Sequence, residues 1–322
     1  MCVTNIKEAV FVSRIEEKIN ITLEEDFLQE EIRDDFTVTE ERKKIWAIQM
    51  DLLHELLEVC KVHDIKISIF AGSLLGVVRH KGFIPWDDDI DVCLTRENYE
   101  KLLSIAPKAF SGRYFFQTAL TDQKFFIGYA RLRNSETTGI IKWNNSRDYN
   151  NGIYIDIFPL DGYTESEKKL KLQLALVSMI KKLCNSYYYD CSIEKGIRQM
   201  AIRLLQKTIF KVIPYTSLVA LYNKLLQLYS GEERVSLLTH SEQFIRKYWC
   251  EKEDLENLTL AKFENLYVPV PENYDAMLMH MYGDYMKFPP IDQRGAWHGD
   301  SLTINPDISY LEYFDEQRKK EK

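Results

Sequence analysis

The sequence predicts an α+β fold: a mixed sheet flanked by helices, with an added and mainly helical subdomain. Three observations carry this reading. Short runs in which apolar residues alternate with polar ones recur at 65–69, 89–94 and 153–158, the period of a strand with one face buried. Ahead of them lies a long helical pattern, with Ile45, Ile48, Leu52, Leu56 and Val59 on one stripe. Finally, residues 167–228 change to helical spacing throughout and carry 11 Lys plus Arg against 3 Asp plus Glu.

In order along the chain, residues 1–42 hold 12 acidic and 5 basic side chains and read as a solvated lead-in. Thr37 and Glu40 can form a capping box, which opens a helix over 39–62. Ile65, Ile67 and Ile69 alternate with Lys66 and Ser68 as a strand, ended by Gly72-Ser73. A short helical turn over Leu74–His80, a loop over Lys81–Asp88 and a strand over Asp89–Leu94 follow, then a helix over 97–106. Strands are expected at 113–117, 125–133 and 153–158, the last stopped by Pro159 and Asp161-Gly162. In the basic segment, Leu170, Leu172, Leu174, Leu176 and Ile180 mark one helix, and Ile197, Met200, Leu204 and Ile209 another. A strand or hairpin at 263–270 and a helix at 273–282 close the chain. The organisation is an acidic lead-in (1–36), a core (37–165), a basic helical subdomain (166–255) and a C-terminal segment (256–322) that returns to the core.

Composition narrows the functional classes. The 322 residues are 45% hydrophobic with a net charge of -7, which argues against a general nucleic-acid binder held by a basic surface. Six cysteines without a C-x-x-C pair read as free thiols. The first twenty residues meet charge early and do not read as a signal peptide, and no window approaches the ~18 apolar residues that span a bilayer. The expected location is cytoplasmic, or peripheral on the cytoplasmic face of the membrane, with residues 167–228 as the membrane-contacting segment.

The carboxylates carry the chemistry. On a strand, Asp89 and Asp91 share one face because side chains alternate. Like charges that close are unfavourable unless a cation sits between them, and hard oxygen ligands suit Mg²⁺ or Mn²⁺. Asp156 is the single charge in an apolar strand and is costly to bury without a partner. Beside the first strand it becomes the third ligand, or the base that takes a proton from an attacking hydroxyl. Gly72-Ser73 forms a tight turn before a helix, suited to phosphate oxygens.

A glycine-serine turn, an Asp-x-Asp strand and a later isolated acidic strand resemble the nucleotidyltransferase superfamily. The run Gly72-Ser73-Leu74-Leu75-Gly76, followed by Arg79-His80 and then Gly82-Phe83-Ile84-Pro85-Trp86-Asp87-Asp88-Asp89-Ile90-Asp91, resembles the LicD family more closely. That family includes phosphocholine transferases and, more distantly, fukutin-type ribitol-phosphate transferases. Ile155-Asp156 through Asp161-Gly162, and Tyr282 through Met286 with Pro289-Pro290, are similar to its later motifs. The resemblance is dense over 45–162, patchy over 260–300 and absent from the basic segment between.

The resemblance implies a nucleotidyltransferase-like catalytic core that moves phosphocholine from CDP-choline, or a related nucleotide donor, to a hydroxyl of a surface glycan or its lipid-linked precursor, with CMP leaving. It adds Asp87 as a secondary ligand, though a solvated loop residue fits that position equally well. Arg79 and His80 can hold a donor phosphate or sit on the surface of a short helix. Arg133, with Arg131, can bind phosphate or decorate an edge strand. His298 and Arg294 can close over the donor. Trp86, Trp143 and Trp297 can cage a quaternary ammonium, against ordinary core packing. Two other activities use or lose the same acids: a nucleotidyltransferase that donates NMP to a small molecule and releases pyrophosphate, and an inactive binding scaffold.

Overall fold

The computed structural model describes residues 15–141, 146–191, 196–295 and 299–320. The chain forms two compact units. The first comprises Met1–Phe116, Arg131–Phe158 and Asp254–Lys322, the second Gln117–Ala130 and Pro159–Glu253.

The first unit starts with a packed segment where a solvated lead-in was expected: Ile15, Ile19 and Phe27 are buried, and the Asn20 backbone N–H donates to Asp51 Oδ1 at 2.5 Å. Apolar residues too sparse to show a period still found a groove. Strands β1 (Glu31–Arg33) and β2 (Phe36–Val38) form a hairpin in which Arg33 faces Phe36. Its two turn residues, Asp34 and Asp35, have φ of 50° and 60°, the left-handed pair that a tight hairpin requires and that Asp tolerates better than most residues.

Helix α1 (Glu40–Val62) begins one residue after the expected start, and its cap is Thr39, whose side chain accepts from the Arg42 N–H. Thr37 is taken up by β2 and cannot cap. Ile48, Leu52, Leu53 and Leu56 are buried, and Trp46 stacks on Phe83 with ring centroids 4.5 Å apart.

The sheet of this unit is built around β8 (Ile153–Gly162), which pairs with both β4 (Asp91–Thr95) and β6 (Ala130–Asn134); β3 (Ser68–Ile69) pairs with β4, and β5 (Tyr114–Gln117) with β6. Strand β3 is only two residues long because the Ile65 N–H is held by the Cys60 carbonyl at 2.8 Å, at the end of α1. Between β3 and β4 come the short helix α2 (Ala71–Leu75) and a widened turn, Gly76–His80. Helix α3 (Arg96–Ala109) follows β4, and β7 (Thr138–Ile141) follows β6. All ten residues of β8 are buried, and the strand runs through Pro159. Proline lacks only the donor, and Asp161 and Gly162, which belong to the second unit, pair there with Ser236 and Val235.

In the second unit, helices α4 (Glu167–Tyr187), α5 (Ile197–Lys207), α6 (Ile209–Val212) and α7 (Tyr215–Leu226) bear out the helical periodicity. Strand β9 (Arg234–Ser236), helix α8 (Glu242–Lys247) and strand β10 (Trp249–Glu251) complete it. The buried stripe of α4 is Leu170, Gln173, Val177, Ile180 and Cys184, whereas Leu172 is exposed. A run of leucines at every second position cannot lie on one helical face, and i, i+3, i+7 spacing decides which go inward. The expected strand at 125–133 begins only at Ala130. Gly128 has φ +96°, and Phe126 packs edge-to-face on Tyr222 at 5.1 Å in this unit's core.

The chain then returns to the first unit. Strands β11 (Leu258–Phe263) and β12 (Leu266–Pro271) form a hairpin, helix α9 (Tyr274–Tyr282) stops at Gly283 with φ +68°, β13 (Leu302–Asn305) pairs with β7, and α10 (Tyr310–Lys320) ends the described chain. The five cysteines among the described residues are buried and outside any disulfide, and no described helix is long and apolar enough to cross a membrane.

Gly152, just before β8, leaves no room for a side chain: a Cβ there would lie 2.0 Å from the Asn134 carbonyl oxygen. Gly152→Ala should destabilise the fold by at least about 2 kcal/mol, read as a lowered denaturant midpoint with an unchanged slope.

Candidate active site

The acidic loop 87–91 is held in place by neighbours rather than by its own charges, which repel. From α1, the Arg42 guanidinium donates to the Asp87 carbonyl at 2.6 Å and the Gln49 amide to the Asp88 carbonyl at 2.9 Å. From α2, Ser73 Oγ accepts from the Asp91 N–H at 2.9 Å. Gly72 lies against the loop, where a Cβ would stand 3.2 Å from Asp87 Oδ2. Glu264, at the tip of the β11–β12 hairpin, grips the N-terminal side: it accepts from the Phe83 N–H at 3.0 Å and from both terminal nitrogens of Arg33, while its own N–H donates to the Lys81 carbonyl.

This clamping gathers Asp87, Asp88 and Asp89, which offer oxygens within 4.8 Å of one another. Asp91 opens β4, two residues later than the expected strand start, because pairing with β3 begins only at Val92. Asp156 reaches the same place from β8, whose Asp156 N–H donates to the Ile90 carbonyl at 3.0 Å. Asp89 and Asp91 are each only partly exposed. Burial, and then Asp91, Asp87, Asp88 and Asp156, push Asp89 well above the usual carboxylate range. For Asp91 the order is burial, Asp156 and Asp87, opposed by Arg131. An all-oxygen set of mutually repelling carboxylates fits a hard divalent cation such as Mg²⁺ or Mn²⁺.

Asp156 has a partner that its apolar surroundings hid. Arg131 Nε donates to Asp156 Oδ1 at 2.5 Å, and both side chains are buried. Arg131 and Arg133 share a face of β6, and their guanidinium carbons lie 3.8 and 4.7 Å from the centroid of the Tyr154 ring on β8. Arg133 also donates to the Gly152 carbonyl at 2.6 Å and is fully buried. β6 pairs on both sides, so the edge-strand alternative for these arginines falls away.

Other expected substrate contacts are engaged within the protein. Arg79 donates to the Tyr285 carbonyl at 2.7 Å and to His80 Nε2 at 2.9 Å, and His80 Nδ1 lies 2.8 Å from Asp34 Oδ2. Burial, then Arg79, push the His80 imidazole down against the pull of Asp34. The Arg294 guanidinium covers the Trp86 ring at 4.9 Å and donates to the Asp34 carbonyl. His298, Trp143 and Trp297 lie outside the described residues.

Asp88, Arg42 and Gln49 escaped the sequence reading. The available signal was polarity in the wrong place, since Gln49 sits between Ile48 and Met50 on a helix whose middle is buried.

Residues 64–181 match the family model described as LicD/FKTN/FKRP, nucleotidyltransferase domain. The match takes in Gly72, Ser73, Asp87–Asp91 and Asp156, and the expected likeness to the LicD family is borne out. The lipopolysaccharide cholinephosphotransferase LicD of Haemophilus influenzae is 25% identical over 255 residues, 77% of this chain and 91% of that one. An uncharacterised protein of Rickettsia prowazekii is 32% identical over 115 residues, covering 35% of this chain and 39% of its own length.

The raised carboxylates set a pH dependence. A fold that keeps protons the unfolded chain has released loses stability as pH rises, from the ordinary value of 3.8 up through the raised one. With metal removed by EDTA, the thermal midpoint should fall as pH rises above the ordinary carboxylate value of 3.8. Asp91→Asn should raise the midpoint at neutral pH and flatten that slope.

Proposed function

We propose that this chain is a divalent-metal-dependent transferase that moves phosphocholine, or a similar phospho-group, from a CDP-activated donor to a hydroxyl of a cell-surface glycan or its lipid-linked precursor. One observation carries the proposal: four carboxylates of one loop, Asp87, Asp88, Asp89 and Asp91, are drawn together with Asp156 inside the stretch that matches the LicD family model. The named activity of the Haemophilus influenzae relative supports phosphocholine as the group and lipopolysaccharide as the acceptor class.

In this reading Asp87, Asp89 and Asp91 hold Mg²⁺ or Mn²⁺, and Asp156 completes the set or receives the acceptor proton. The cation would supply charge neutralisation at the donor's linked phosphates. Arg131 orients Asp156 through their ion pair and offsets part of its charge. Gly72 keeps backbone, without a side chain, against Asp87, which leaves space beside the acids for a phosphate oxygen. Ser73 Oγ accepts from the Asp91 N–H through one of its two lone pairs, so its hydroxyl hydrogen remains able to donate.

The test is a panel of CDP-choline, CDP-ethanolamine, CDP-ribitol, CDP-glycerol and nucleoside triphosphates with Mg²⁺, scored for the leaving product. CMP release from one CDP donor supports the proposal; pyrophosphate release from a triphosphate would replace it with nucleotidyl transfer to a small molecule. Failure of every donor to bind or react would favour an inactive scaffold.

Asp89→Asn, Asp91→Asn and Asp156→Ala should each lower the rate by about 10²-fold or more; the first two should keep at least the parental thermal midpoint, whereas Asp156→Ala, which strips the buried Arg131 of its partner, should lower it. Full activity in any of them would remove that residue from the site.

A further inference from the structure

We infer that the surface formed by α5 and α6, residues 197–213, docks onto an anionic lipid bilayer. The inference stands apart from the chemistry proposed above and rests on an amphipathic helix that is seated backwards. On α5 the inward residues are Gln199 and Ile202, both buried, with Leu205, which packs on the unit's core, and Gln206, whose amide donates to the carbonyls of Ser186, Tyr187 and Tyr189. The opposite stripe is apolar and open: Ile197 is 88% exposed, Met200 71% and Leu204 63%. At 3.6 residues per turn these three fall on one face, and Gln199, Ile202 and Gln206 on the other. Packing against the protein would have chosen the reverse arrangement, so the stripe is built for an apolar environment outside this unit. The exposed surface continues through Ile209 and Val212, the latter 81% exposed.

Charge selects the occupant. Residues 197–213 contain Arg198, Arg203, Lys207 and Lys211 and no acidic residue, and all four basic side chains are exposed. On α5, Arg198 borders the apolar stripe on one side, Arg203 and Lys207 on the other. Apolar side chains flanked by cations suit the headgroup boundary of an anionic membrane, where the stripe enters the acyl edge and the flanks meet phosphates. A second copy docked through the same face would oppose four cations with four more, which disfavours self-association.

This narrows the surface expected from the whole segment 167–228. Within α4, Lys181 donates to the Thr239 carbonyl at 2.9 Å and is largely removed from solvent contact.

The test is co-sedimentation of the full chain with phosphatidylcholine vesicles, with and without phosphatidylglycerol. Binding should require the anionic lipid and fall with added salt. Met200→Glu/Leu204→Glu and, separately, Arg198→Gln/Lys207→Gln should each weaken it by about tenfold or more. Leu260→Glu, an exposed apolar position in the first unit, should bind as the parent does. Failure of the parent chain to pellet, or pelleting of the Met200/Leu204 variant at parental affinity, would overturn the proposal. So would light scattering that shows a dimer broken by that variant without any vesicle binding, which assigns the face to a second copy.

Discussion

The acids of the loop 87–91 do not want to be together, and much of the first unit is arranged to keep them so. Asp89 is pushed well above the usual carboxylate range by burial and then by Asp91, and Asp91 by burial and then by Asp156 and Asp87, an arrangement that costs stability in the absence of a counter-charge. The opposing forces are backbone grips: Arg42 on the Asp87 carbonyl, Gln49 on the Asp88 carbonyl, Ser73 on the Asp91 N–H and Glu264 on the Phe83 N–H. Each binds the main chain rather than a carboxylate of the loop. Preorganisation of this kind spares a site the work of assembling its charges when a ligand arrives.

The same logic explains the buried arginines. A charge as deep as Arg133 is tolerable only when its hydrogen bonds are met, and it finds the Gly152 carbonyl and the face of Tyr154. Arg131 and Asp156 form a buried ion pair. The intact pair adds little net stability, but removing either partner leaves the other buried and uncompensated, a loss of about 3–5 kcal/mol. Through the pair, β6 and β8 present Asp156 toward the loop that carries Asp91. Gly152 and its neighbours allow the close backbone approach on which this depends.

The second unit follows a different economy of space. Its core is aromatic and aliphatic, with Phe126, Phe210, Tyr215 and Tyr222 among the buried residues, while α5 turns its polar Gln199 and Gln206 inward and its Ile197, Met200 and Leu204 outward. Fastening by amide hydrogen bonds is adequate for a short helix, and it leaves the apolar stripe available to an outside partner.

The sequence by itself determined the kind of elements and the identity of the central acids. Period-two alternation located β4 and β8, and 3.6-residue spacing located α1, α4 and α5, because side-chain direction is a local property of the backbone. The motif around Gly72, Ser73 and Asp87–Asp91 was legible for a similar reason: its residues lie within twenty positions of one another. What only the tertiary structure decided were the pairings between distant segments. Arg131 with Asp156, Arg42 and Gln49 with the acidic loop, and Glu264 with Phe83 join residues 25 to 181 positions apart, and no local pattern encodes which buried polar group will satisfy another. The extent of β3, the cap at Thr39 and the inward choice of Val177 over Leu172 were settled likewise, by competition for hydrogen bonds and space that exists only once the chain has folded.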